Sequence, residues 1–297
     1  MPELPEVEVL ARHLAPLLEY KTIRVVTVHR AKVLHPDTAP EFTRALQGAR
    51  FLSLQRRGKY LVFRLCRGDD KRHFSVLGHL GMTGRMYLLP RQHPEPKHTA
   101  VTLSLGRLKF VFEDTRYFGR LTLETSPLDR LGPEPLGAEF TAEYFARALR
   151  RSAQTIKVKL LDQSLVAGVG NIYASEALYR ARISPRLAAR RLSADQVRRL
   201  WQAIREVLQQ AIDWGSTIPL DWPGTYARDG LFYFGRAAGA LDYYEEGLCV
   251  YDREAQPCPR CQTLIRRLVQ AARSTFFCPA CQRAGRPGIS AQEAQPK

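Results

Sequence analysis

Acid is what this chain lacks most. Against 45 Lys and Arg, its 297 residues hold only 29 Asp and Glu, for a net charge of +16. So basic a balance favours polyanionic partners, nucleic acid first and an anionic membrane surface second, with mere solubility as the bland reading. Long apolar runs are missing too. None approaches the roughly 20 residues that cross a bilayer, so no membrane-spanning segment is expected, and with nucleic acid the favoured polyanion no membrane partner is expected. No basic stretch followed by an apolar core opens the chain, so no secretory signal is expected either. Cysteine is scarce: of six residues, four form two C-x-x-C pairs near the C-terminus. That pattern argues against a disulfide framework and for metal in a reducing cytosol. Cys66 and Cys249 lie in apolar, strand-like stretches and read as core. There is no repeat of fixed period, which sets aside solenoids and propellers.

What is present suffices for a sizeable core. Hydrophobic residues make up 45% of the chain, and its length suits about two domains. Val7, Leu10, Ala11, Leu14, Leu17 and Leu18 recur at helical spacing in residues 2–20. From about 21 to 125 the texture changes to short alternating runs such as "TIRVVTV", "KYLVFRL", "TAVTLSL" and "LKFVFED". These predict an antiparallel β domain, sandwich or barrel. The Pro- and Gly-rich stretch 126–141 reads as a linker. Helices follow over "AEYFARALRRS", "TIKVKLLDQSL" and the segment after "VAGVGN". Ser193 and Gln196 form a capping-box signature ahead of a long amphipathic helix beginning near Val197. The last residues read as a disordered tail.

The cysteine pairs, Cys258 with Cys261 and Cys278 with Cys281, stand sixteen residues apart. Each knuckle can give two thiolates to one tetrahedral ion, and four protein ligands leave no open position. One structural Zn²⁺ is therefore expected, with a redox dithiol as the alternative. Two strands of a hairpin could join the pairs; the whole hairpin carries Arg260, Arg266, Arg267, Arg273 and Arg283, and no acid lies between Cys258 and Arg286. Such a tip suits phosphate contacts, or it is simply a solvated face.

Two other stretches admit both a bland and a chemical reading. "GVGN" at 168–171 precedes a helix and could hold a phosphate on backbone N–H groups, with Lys157 nearby. It could equally be a turn that packs two helices. It fails as a dinucleotide fingerprint, because Tyr173 stands where a glycine is needed and no strand precedes it. The opening "MPELPE" is a good helix start. Loss of Met1 would also make Pro2 a secondary amine, a nucleophile toward carbonyl-like carbon, with Glu3 and Glu6 at hand as acid and base.

The order of motifs favours the chemical reading. "PELPEVE" at the tip, "RRGKYL" at 56–61, "HLGMTGR" at 79–85, "DTRYFGRL" at 114–121, "LGPEPL" at 131–136, "GVGNIYASEAL" at 168–178 and the four-cysteine hairpin follow one another. In this the chain resembles the bacterial formamidopyrimidine-DNA glycosylases, of the superfamily that includes endonuclease VIII, to about residue 282. The resemblance implies an α+β fold with an N-terminal β-sandwich and helix over 1–130. A helical domain with a helix–two-turn–helix would follow over 131–250, then a zinc hairpin over 251–282 and a tail over 283–297. DNA would lie in the cleft between the domains. It implies a bifunctional glycosylase and abasic-site lyase of base excision repair, removing 8-oxoguanine and formamidopyrimidines from double-stranded DNA. The enzyme would act as a monomer, in the cytoplasm of a bacterium and at its nucleoid. Pro2 would attack C1′, Glu3 would move protons, Glu6 would position reacting groups, and Lys59 would contact a phosphate and assist elimination. Asn171 and Arg273, with Lys157, would grip phosphates beside the lesion. Met82, Arg116 and Phe118 would fill the gap left by an everted nucleotide, although on their own Met82 and Phe118 read as core. An endonuclease VIII-like enzyme for oxidised pyrimidines and a non-catalytic DNA-binding protein are the alternatives. The segment 215–250, with Phe232, Tyr233 and Phe234 and no proline before them, departs from the family pattern and bears on lesion preference.

Overall fold

The computed structural model describes residues 2–68, 72–217 and 247–283. Met1, the aromatic run 232–234 and the tail after Arg283 lie outside the described residues. By their contacts the residues form two compact units. One takes in Met1–Phe140, Asp162–Gly170 and Arg205–Glu246, and the other Thr141–Leu161, Asn171–Ile204 and Gly247–Lys297.

The first unit opens with α1 (Leu4–Leu18), whose buried stripe of Val7, Leu10, Ala11, Leu14 and Leu18 follows the helical period. After β1 (Val25–Val28), Thr38 and Glu41 cap α2 (Ala39–Leu46) reciprocally, side chain to backbone N–H in both directions. Then come β2 (Arg50–Arg57), β3 (Tyr60–Arg67), β4 (Arg72–His79), β5 (Gly84–Pro90), β6 (Thr99–Ser104), β7 (Leu108–Asp114) and β8 (Arg120–Thr122). They make two four-stranded antiparallel sheets, β1-β6-β7-β5 and β2-β3-β4-β8. Alternate residues of both sheets enter one apolar cluster with the inner face of α1. Phe63 of β3 meets Phe110 of β7 edge to face, with ring centroids 5.8 Å apart. Burying each such side chain contributes about 1.5–3 kcal/mol, and the expected sandwich is the fold that closes both apolar faces.

The second unit holds α3 (Ala142–Arg150), α4 (Ile156–Leu160), α5 (Asn171–Arg180) and the first part of α6 (Ala194–Thr217). It ends in a hairpin of β9 (Arg266–Gln270) and β10 (Arg273–Phe277), paired antiparallel. The Ser193/Gln196 capping box forms in both directions, at 3.2 and 2.9 Å. One helix is shorter than its apolar period suggests: "TIKVKLLDQSL" leaves the helix after Leu160. Asp162 Oδ1 accepts from the backbone N–H and hydroxyl of Ser164. The Gln163 side chain accepts from Gly168 N–H and donates to Val169 O. These local bonds compete with the helical ladder and turn the chain away. Among the described residues, no helix is long and apolar enough to cross a membrane.

Candidate functional site

In the first unit the tip and the glycine turn come together. Pro2, Glu3 and Glu6 are all buried. Glu3 is the N-cap of α1, and its backbone N–H donates to Glu6 Oε2 at 2.7 Å. Leu4 N–H donates to Gly168 O at 3.1 Å. A Cβ at Gly168, which sits at φ +86°, would come within 2.6 Å of Leu4, and one at Gly170 would overlap the Glu3 carboxyl group. Only glycine leaves room for that carboxyl group there. Gly168 and Gly170 thus pack against the start of α1, and the same packing fixes a carboxylate beside Pro2.

Lys59 sits in the two-residue turn between β2 and β3, with Gly58 at φ +58°. Glu134, from "LGPEPL", holds this turn. Its Oε1 accepts from Gly58 N–H at 2.6 Å and from Arg57 Nη1 at 3.0 Å, and its Oε2 pairs with Arg56 Nη1 at 2.7 Å. Arg56 Nε reaches back to Glu8 Oε2 on α1 at 2.7 Å. Glu8 is held below the usual carboxylate range by its bonds to Arg56 and Arg12, which outweigh the opposing pull of burial. The turn carrying Lys59 and the helix carrying Glu3 are therefore parts of one charged network. His79, at the end of β4, is pushed down to about 4, chiefly by burial and further by the charges of Lys59 and Arg120. Its ring is neutral near pH 7. Its Nδ1 accepts from Gly81 N–H at 3.1 Å, so its proton is on Nε2, ready to donate.

Met82 and Phe118 are not core residues. They are 43% and 49% exposed, among the few large apolar side chains left to solvent. The Arg116 guanidinium lies 4.9 Å from the Phe118 ring centroid, and Lys32 Nζ lies 5.9 Å from it. Exposed apolar groups flanked by cations suit insertion into a base stack beside phosphates.

The second unit gathers the other expected binding residues. Asn171 starts α5. Its Nδ2 donates to Ser274 O at 2.9 Å, next to Arg273 on the exposed end of β10. Its Oδ1 accepts from Lys157 Nζ at 2.6 Å. Lys157 is 0% exposed, and its ammonium donates to the Asn171 side chain and backbone carbonyl. Glu176, one turn further along α5, is buried and accepts from the N–H groups of Cys249, Val250 and Tyr251 at 2.8–2.9 Å. This ties the approach to the hairpin onto the Asn171 helix, while burial pushes the Glu176 carboxyl up.

The sulfurs of Cys258, Cys261, Cys278 and Cys281 all lie within 4.8 Å of one another. The 3.5 Å between Cys261 and Cys278 and the 3.9 Å between Cys258 and Cys281 bracket the roughly 3.8 Å edge of a tetrahedron with Zn–S bonds of about 2.3 Å. The donor set fits one structural zinc. Tyr179 hydroxyl lies 3.3 Å from Cys258 Sγ and can orient it.

Sequence reasoning singled out none of His79, Glu134 and Glu176, although all three lie inside quoted motifs. Their signal was a titratable residue embedded among glycine, proline and apolar neighbours.

The comparisons agree with this geometry. Residues 1–121 match the formamidopyrimidine-DNA glycosylase N-terminal domain, 131–220 its H2TH domain, and 255–284 the zinc finger found in FPG and IleRS. A formamidopyrimidine-DNA glycosylase of Carboxydothermus hydrogenoformans is 39% identical over 283 residues, covering 95% of this chain and all of that protein. A solved structure of MutM with carbocyclic 8-oxo-G containing DNA is similar at a TM-score of 0.81 and 32% identity, over 95% of this chain and 100% of that one. Lactococcus lactis Fpg with DNA containing N7-benzyl-Fapy-dG gives 0.81 and 31%, over the same shares. Family matches that run from the proline tip to the zinc hairpin, and relatives covered end to end, place this chain in the formamidopyrimidine-DNA glycosylase family.

Proposed function

We propose that this chain excises oxidised purines, 8-oxoguanine and formamidopyrimidines, from duplex DNA with Pro2 as nucleophile, acting at the bacterial nucleoid. It is a DNA glycosylase of base excision repair. With Met1 removed, the Pro2 amine attacks C1′ of the damaged nucleotide. The glycosidic bond breaks, and the base leaves with a proton from Glu3. The Pro2 nitrogen then gives its own proton to the Glu3 carboxylate, which passes it to O4′ as the C1′–O4′ bond breaks, and the opened sugar is left as an iminium between Pro2 and C1′, which acidifies the C2′ hydrogen. Loss of that proton expels the 3′ phosphate, and a second elimination expels the 5′ phosphate. Glu6 fixes Glu3 through its backbone N–H. Lys59 contacts a phosphate and assists elimination. Asn171, positioned by Lys157, grips the strand together with Arg273. The zinc holds the hairpin and takes no part in the bond changes.

The observation that carries this reading is the buried helix start. Pro2, Glu3 and Glu6 are locked by the Glu6 bond at 2.7 Å and by the close approach of Gly170. The capping box of Glu3 and Glu6 accounts for their bonds to the helix start, but not for their burial or for a glycine reserved for the Glu3 carboxyl group. Borohydride tests it. An 8-oxoguanine duplex should give a covalent adduct, and Pro2→Gly should lower trapping on the order of a thousandfold. Absence of an adduct with Met1-processed protein overturns the reading. Competition with a thymine glycol duplex separates it from an oxidised-pyrimidine enzyme.

A further inference from the structure

Asp114, the last residue of β7, is fully buried, and its hydrogen bonds go to neither the tip nor the Lys59 turn. Its carboxylate accepts from three donors on two loops. Oδ1 takes Thr83 Oγ1 at 2.6 Å and Arg116 N–H at 3.1 Å, and Oδ2 takes Gly119 N–H at 2.7 Å. Thr83 adjoins Met82, while Arg116 and Gly119 bracket Phe118. The two loops also meet backbone to backbone. Gly81, at φ +59°, lies where a Cβ would come within 2.6 Å of Gly119 N and 2.7 Å of Phe118 C. Tyr117 adopts φ +53°, a conformation that a non-glycine residue holds only when its surroundings impose it. One buried carboxylate therefore ties the mounts of both exposed apolar side chains.

We propose that Asp114 is the positioning residue that joins Met82 and the Arg116–Phe118 pair into one rigid insert, and so governs the eversion of the damaged nucleotide rather than the chemistry at C1′. This rests on the reading that those three side chains enter the base stack. Unstacking is costly, and an inserted side chain offsets that cost only if its own ordering is already complete in the free protein. Three charge-assisted bonds to one buried carboxylate supply that order. Both oxygens of Asp114 are taken up by these two loops, so loss of the carboxylate should spare a substrate that needs no base removed.

Asp114→Asn keeps the shape but turns one acceptor into a donor facing Gly119 N–H or Arg116 N–H. Single-turnover excision of 8-oxoguanine should fall about tenfold or more, and the fluorescence rise of 2-aminopurine beside the lesion should slow by the same factor. Strand cleavage and borohydride trapping at a preformed abasic site should stay within about twofold. Thr83→Val, which removes one link and keeps the carboxylate, should give the same pattern at about threefold. Equal loss of both reactions in the two variants overturns the proposal. So does unchanged excision in both while Phe118→Ala slows it, which leaves the insertion reading standing. Unchanged excision and fluorescence in Phe118→Ala and Met82→Ala overturns the insertion reading itself, and the proposal with it.

Discussion

Around Pro2 and Lys59, side chains are held by an apolar cluster that takes in both sheets and α1, and by carboxylates that accept from arginines and backbone N–H groups. Around Arg273 the local core is six buried residues, Tyr179, Val250, Cys258, Ile265, Phe276 and Cys278, two of which are zinc ligands. The difference follows from size. A large sandwich buries enough apolar surface to order a helix tip and several turns to the precision that bond-making needs. A two-stranded hairpin does not, and it borrows order from a metal. In the proposed function the first region places the reacting atoms, and the second presents charge to a backbone.

The strongest challenge to that contrast is removal of the metal. A structural zinc contributes about 10–16 kcal/mol in small finger peptides, far more than a six-residue core can replace. Chelation, or Cys261→Ala, should lower duplex affinity on the order of a hundredfold as phosphate contacts are lost. The cooperative unfolding of the sandwich should stay put in calorimetry. Melting of both in one step would erase the distinction. Gly170→Ala probes the other side. The added methyl group displaces the Glu3 carboxyl group, and a displacement near 1 Å can cost about a hundredfold in rate. Excision should fall to that extent with DNA affinity held within about twofold in gel-shift titration. A loss of affinity instead of rate would mean that the glycine turn grips rather than positions.

The smallest effect concerns pH. Unfolded His79 takes a proton near 6.5, and the folded residue only at about 4. Between those values the unfolded chain binds more protons, so the His79 contribution to stability, complete above 6.5, is lost as pH falls toward 4. The slope is at most about 1.4 kcal/mol per pH unit. His79→Gln should flatten that part of a curve of urea midpoint against pH. An unchanged curve would show that the ring is solvated in the folded protein.

Much was legible in the sequence because it depends on local spacing. The two C-x-x-C pairs name their ligands, period-2 runs name strands, and Ser193 with Gln196 names a helix start. The order of motifs, from the proline tip to the hairpin, carries the family. What spacing could not say is which face of an ambiguous residue wins. Met82 and Phe118 are large apolar side chains and read alone as core, but they lie exposed on two loops that close glycine contacts and Asp114 hold together. Lys157 reads as a surface phosphate contact, yet it is wholly buried against Asn171. The helix over 155–165 stops at Leu160 because Asp162 and Gln163 bond the following loop. By itself, then, the sequence determined most elements, the metal ligands and the family, since each rests on short motifs whose own spacing, or whose order along the chain, is legible without the fold. Only the tertiary structure decided that residues 162–170 pack against the helix tip, that Glu134 holds the Lys59 turn and that Asp114 joins two loops. Those bonds link positions from about thirty to over a hundred and sixty residues apart, and their energy exists only once the sandwich has paired its strands.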